Sequence, residues 1–197
     1  MDTMPTEYTE CQMLEYDAED LSYSDALVML IADDRSITRT RLQKISLLYD
    51  EVYGESTKIP GNSAYFFEGY SDGIDESAEN LVDTGMLSES REGYMHTLYG
   101  SKLKEYMINK ESGRNKDRSE RIECIKAALS DVPDRNIVGL TYCFYGESAV
   151  NAGIKCSVER LNSHSEMGGI PLSEIKKDDF EEHLRKGTEI VITSRKI

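Results

Sequence analysis

The stretch from Ser71 to Met107 reads SDGIDESAENLVDTGMLSESREGYMHTLYGSKLKEYM. Ile74, Ala78, Leu81 and Val82 recur at helical spacing, which predicts a helix with one apolar face. Ser71 or Asp72 carries the side-chain oxygen that accepts from the free N–H groups of a first turn. Gly85 provides the left-handed stop. Met86 to Ser88 then read as strand, Arg91-Glu92-Gly93 as a turn, and Tyr94 and Met95 as the returning strand. Thr97 caps a further helix with Leu98, Leu103, Tyr106 and Met107 on its apolar side. Helix, hairpin, helix is the arrangement that decides the fold.

Upstream, Ser22 or Ser24 caps a helix carrying Ala26, Leu27, Leu30 and Ile31. In TRTRLQKISLLYDEVYG, Leu42, Ile45, Tyr49 and Val52 mark a second helix, stopped by Gly54. A strand-like link, Ala64 to Phe67, follows the loop chemistry of Pro60-Gly61-Asn62. Residues 21–110 thus have the element order of a winged helix. The polar interval ESGRNKDRSE, 111–120, is the best boundary. Beyond it, 118–197 read as a helical part. Arg118 to Leu129 is a helix stopped by Pro133, and Ile137 to Tyr145 with Ser148 to Leu161 is a pair broken at Gly146. A loop, Asn162 to Gly169, precedes a helix from Leu172 to Lys186 ended by Gly187. Glu189 to Thr193 is a terminal strand, with the hairpin or another protomer as its candidate partners. The expected class is mainly α with small β (α+β), a winged-helix N-terminal domain plus a helical C-terminal part.

The formal charge is −14, from 37 acidic and 23 basic residues. Asp2, Glu7, Glu10, Glu15, Asp17, Glu19 and Asp20 supply half of it. Residues 1–20 contain no Lys or Arg, which predicts an acidic, poorly ordered arm. A stronger reading has the arm folding back to mask a basic surface. The longest apolar run, Ala26 to Ala32, is far short of the ~20 residues of a membrane helix. No signal-peptide pattern is visible, so a cytoplasmic location is expected. The cysteines Cys11, Cys124, Cys143 and Cys156 and the histidines His96, His164 and His183 are scattered without ligand spacing. Neither a metal nor a cofactor is expected.

Gly69 to Gly73, GYSDG, fits the G-x-S-x-G pattern in which a strained serine becomes a nucleophile. That chemistry needs a sheet to raise the serine and a histidine arriving after a later strand. The upstream residues offer an arm and two helices, so Ser71 reads as a helix cap and a Ser71 hydrolase is the least favoured of three functions. No Walker A, dinucleotide or zinc-protease motif is present.

In a winged helix, the helix before the hairpin normally enters the major groove. Here it carries Asp72, Asp75, Glu76, Glu79 and Asp83 and no Lys or Arg. Phosphates repel such a face, because DNA affinity rests on cationic contacts. The favoured expectation is therefore a basic protein partner on these five acids. The alternative is DNA bound through Arg39, Arg41, Lys44, Lys102, Lys104, Arg114, Lys116 and Arg118, with Lys110 and Arg121 alongside.

Arg41-Leu42-Gln43-Lys44 with Tyr49, Gly69-Tyr70-Ser71, Leu81 to Leu87, and Thr97-Leu98-Tyr99-Gly100 occur in an order that resembles the YwgA-like winged-helix proteins of prokaryotes. The likeness is more distant to the SocA/Panacea antitoxin domain. It spans about residues 21–160. The chain departs from the group's pattern in lacking the proline of the Gly-Tyr-Ser turn and in placing Thr97 before Leu98. The resemblance implies a winged-helix fold and, through the antitoxin domain, action by binding proteins. Taken together, the expectation is a regulatory module working by protein–protein contact, antitoxin-like, as a homodimer.

Overall fold

The computed structural model describes residues 9–54, 71–110, 113–145 and 161–194. Mainly helical, it carries two small antiparallel sheets. Helix α1, Glu10–Asp20, starts on a capping box in which Thr9 and Gln12 satisfy each other's backbone N–H. Helix α2, Tyr23–Ile31, starts on the equivalent Ser22/Asp25 pair. From Ser24 to Ile31 every residue of α2 is buried. A helix that is apolar all round belongs at the centre, and the others pack around it.

Helix α3, Arg39–Tyr53, is capped by Thr38 and ends at Gly54 in the left-handed conformation. Helix α4, Asp72–Asp83, is capped by Ser71. The hairpin follows at once: β1, Leu87–Ser90, pairs antiparallel with β2, Gly93–His96. Ile37 adds a third, minimal edge by exchanging both backbone hydrogen bonds with Tyr94, at 2.8 and 2.9 Å. Gly93 is required there: its φ is +124°, and a Cβ would sit 2.0 Å from the Ile37 carbonyl oxygen.

Helix α5, Leu98–Asn109, begins on Thr97, whose hydroxyl also donates to the Gly85 carbonyl at 2.7 Å. Helices α6, Arg114–Ala128, and α7, Asp134–Tyr145, follow. Then come β3, Ser165–Met167, β4, Ile170–Pro171, a 3-10 turn at Leu172–Glu174, α8, Lys177–Lys186, and β5, Ile192–Ser194.

The C-terminal helices do not build a second core. Ile122 and Ile125 of α6, Ile137 and Leu140 of α7, and Phe180 and Leu184 of α8 lie in one buried cluster with Leu27 of α2 and Leu48 of α3. Arg41 clamps this junction. Its Nε donates to Asp134 at 2.9 Å, and its NH1 and NH2 donate to the carbonyls of Leu129 and Val132. Phe144 of α7 stacks on Phe180 of α8, with ring centroids 4.2 Å apart.

Several expectations need correction. Of the arm 1–20, expected to be poorly ordered, Glu10–Asp20 is a helix, because its capping box and half-buried Leu14 and Ala18 dock it on the core, and residues 1–8 lie outside the described residues. The Asn162–Gly169 loop holds strand β3, and the terminal strand, observed as Ile192–Ser194, pairs with β3 rather than with the hairpin or a second protomer. The single helix expected from Leu172 to Lys186 breaks at Ile175 and Lys176, both extended. The link at 64–67 and residues 148–160 lie outside the described residues.

Among the described glycines, Gly100 makes the tightest contact from a helix. A Cβ there would lie 1.9 Å from the Met86 carbonyl oxygen. Ala normally favours a helix interior over Gly by ~1 kcal/mol, so the sign of the effect is diagnostic. Gly100→Ala is expected to lower unfolding free energy by about 2 kcal/mol or more in urea melts. A neutral or stabilising result contradicts this packing.

Candidate functional site

Helix α4 turns Ile74, Ala78 and Leu81 to the core. Asp72, Glu76, Glu79 and Asp83, spaced by four, three and four residues, are all exposed. That spacing keeps them on one helix face, a row of carboxylates about 16 Å long at 1.5 Å per residue. Among the described residues none of the four has a cationic partner.

Asp75, three residues after Asp72 and four before Glu79, sits beside this row on the flank toward α3 and is buried there, which corrects its expected place in the partner-binding set. It is 5 % exposed. Arg39 donates to both its oxygens, through Nε at 2.9 Å and through NH2. The buried Gln43 amide donates at 2.9 Å to Asp75 Oδ1 and at 2.9 Å to the Ser71 carbonyl. The Ser71 N–H returns a bond to Gln43 Oε1 at 2.9 Å. A carboxylate, a guanidinium and an amide therefore lock the first turn of α4 onto α3. Ser71 itself is 4 % exposed, and its hydroxyl accepts from the Ile74 N–H at 3.4 Å, as a cap does. Gly69 and Tyr70 lie outside the described residues.

Most of the cations of the nucleic-acid alternative are occupied within the fold. Arg39 holds Asp75, and Arg41 holds the α6–α7 turn. Lys44 is buried, its Nζ 5.5 Å from the Tyr142 ring centroid. Lys104 donates to the Ala32 carbonyl at 2.7 Å and to Asp33 at 2.9 Å. Arg118 is buried and stacked on Tyr23, 4.7 Å from the ring centroid. Lys102 pairs with Glu10 and Lys110 with Glu19, while Tyr99 donates its phenol proton to Asp17. Acidic α1 thus lies along the basic side of α5. Arg114 and Lys116, at the start of α6, are exposed.

A second polar cluster joins α2, α5 and α6. Burial pushes the Asp33 carboxyl up, but Lys126 and Lys104 together outweigh it and hold the group below the usual carboxylate range. Beside it, His96 is buried and donates from Nε2 to the Met29 carbonyl at 3.0 Å. Burial first, then the Lys104 charge, lowers the His96 pKa, against the opposing pull of Asp33 and Asp34. Among the described residues no group of three or more His, Cys, Asp or Glu side chains is placed to hold a metal ion. Burial raises the Cys143 thiol to about 11, which makes it a packing residue rather than a nucleophile at neutral pH.

Sequence reasoning missed Gln43 and His96, both polar groups that the core encloses. For Gln43 the signal was its place next to the apolar Leu42 in α3. Comparison with protein-family models, with curated proteins and with solved structures finds no match to this chain. No helix among the described residues is long and apolar enough to cross a membrane.

Two measurements check these networks. Asp75→Ala is expected to cost about 2–3 kcal/mol, since it strands the Gln43 amide away from water. Arg39→Ala should cost clearly less, because half-exposed Arg39 is partly screened. Equal costs contradict the assignment. For His96, the folded state resists protonation, so its contribution is complete above the unfolded pKa of about 6.5 and is lost as pH falls below it. Between about pH 6.5 and 5, wild type is expected to lose stability relative to His96→Gln, and a pH-independent difference contradicts it.

Proposed function

We propose that this chain is a winged-helix regulatory module of the cytoplasm that recognises a basic protein surface through α4, in the antitoxin-like manner the resemblance implies. The order α2, Ile37 edge, α3, α4, hairpin supports the winged-helix reading, with α4 in the place of the recognition helix and β1–β2 as the wing. The observation that carries the function is the outward row of Asp72, Glu76, Glu79 and Asp83. A surface of this sign attracts a cationic partner, speeds encounter with it, and repels nucleic acid.

Of the exposed cations of the DNA-binding alternative, Arg39 and Lys102 are ion-paired, which leaves Arg114 and Lys116 among the described residues, too few for the phosphate contacts that nucleic-acid affinity needs. The Ser71 hydrolase reading requires an accessible hydroxyl, whereas this one is buried against Ile74.

The test is affinity capture from the native host with the tagged chain, beside an Asp72→Asn, Glu79→Gln, Asp83→Asn variant of equal stability. The expected result is a basic protein retained by the native chain at low salt and depleted at least about tenfold with the variant. Equal recovery by both chains, or capture of a defined DNA operator in place of a protein, overturns the proposal.

A further inference from the structure

A polar cleft opens beside the acidic row, between the N-terminal turn of α2 and the flank of α4. Its volume of about 340 Å³ is at the lower end of the range of ligand pockets. Among the described residues its walls include Ser24, Asp25, Glu76, Ser77 and Asn80, and no Lys or Arg. Ser24 and Ser77 are each 6 % exposed. Among the described residues neither hydroxyl has a hydrogen-bond partner, and both residues line the cleft. Asp25, 7 % exposed, gives Oδ2 to the Ser22 N–H at 3.1 Å, and its other oxygen has no partner among the described residues. Glu76 belongs both to the cleft and to the exposed row.

Buried polar groups are normally satisfied. Here two hydroxyls and one carboxylate oxygen line an opening that has no cationic donor among its described residues, and a second carboxylate stands at its mouth. What they lack is a donor that offers several N–H groups and positive charge at once. A guanidinium does so, with five N–H groups in a planar fork, whereas an ammonium is a compact point charge.

We propose that this cleft is the anchor site for an arginine side chain of the basic partner. Asp25 and Glu76 supply the charge, and Ser24, Ser77 and the Asn80 amide oxygen supply acceptors. The inference rests on the reading of α4 as a protein-binding face and adds to it the residue type at the centre of the interface. Arginine anchors seated in desolvated pockets are common at such centres.

The experiment titrates the intact chain with hexa-arginine and with hexa-lysine peptides at low salt, following affinity by calorimetry and location by amide chemical shifts. Hexa-arginine is expected to bind at least about tenfold more tightly than hexa-lysine, with shifts centred on Gly73, Ser77 and Asn80. Asn80→Arg places a guanidinium of the chain's own at the exposed rim. It should weaken hexa-arginine about tenfold or more, while Glu79→Gln, which changes net charge equally, should weaken it about twofold. Equal affinity for both peptides, with Asn80→Arg no worse than Glu79→Gln, overturns the anchor cleft and leaves the acidic face as a charge-only surface. Absence of binding by either peptide overturns the cleft and the acidic-face reading together.

Discussion

The arrangement depends on a single buried carboxylate. Asp75 accepts from both Arg39 and Gln43, and Gln43 in turn clasps the backbone of Ser71. These bonds fix the rotation of α4 about its axis. With Asp75 on the flank of α4 that meets α3 and Ile74, Ala78 and Leu81 in the core, the neighbouring row of Asp72, Glu76, Glu79 and Asp83 is left on the outward face. A charged group taken out of water persists only when partners replace its hydration. The cost of burying Asp75 is met by Arg39 and Gln43, and the result is a rigid helix with a defined outer face.

The same logic runs through the rest of the charge distribution. An excess of acid allows nearly every basic side chain named above to be used as a clamp. Lys104 and Lys126 bridge to Asp33, Arg41 to Asp134, and Lys102 and Lys110 to α1. These clamps join elements far apart in sequence, and they consume the positive charge that a DNA-binding surface would display. The acidic row of α4 is not drawn into these pairs among the described residues.

Much of the fold was legible in the sequence because its signals are local. Helical periodicity in α2 to α5, the hairpin turn at Arg91 to Gly93 and the caps at Ser71 and Thr97 each depend on neighbours within a turn. What was missed depends on distant partners. Helix α1 looked like an inert arm because the surface it docks on, with Tyr99, Lys102 and Lys110, lies some eighty residues or more away, although its Thr9/Gln12 capping box is local. Strand β3 was hidden in a Gly/Ser-rich run, since three residues are too few to alternate visibly. The site was half legible. The spacing of the acids gave the row, and the periodicity puts Asp75 at the edge of the apolar face and Glu76 opposite it, but the partner that buries Asp75, the guanidinium of Arg39, is on another helix and was not legible.

The central claim is that the cations of α3 and α5 are structural and the outward face of α4 is for a protein. Titration of labelled random duplex DNA with the intact chain at low ionic strength tests it most directly. The account predicts no saturable binding, and no change when Arg39 and Arg41 are replaced by Ala in a variant verified as folded. Binding that falls steeply with salt and weakens in that variant would contradict it.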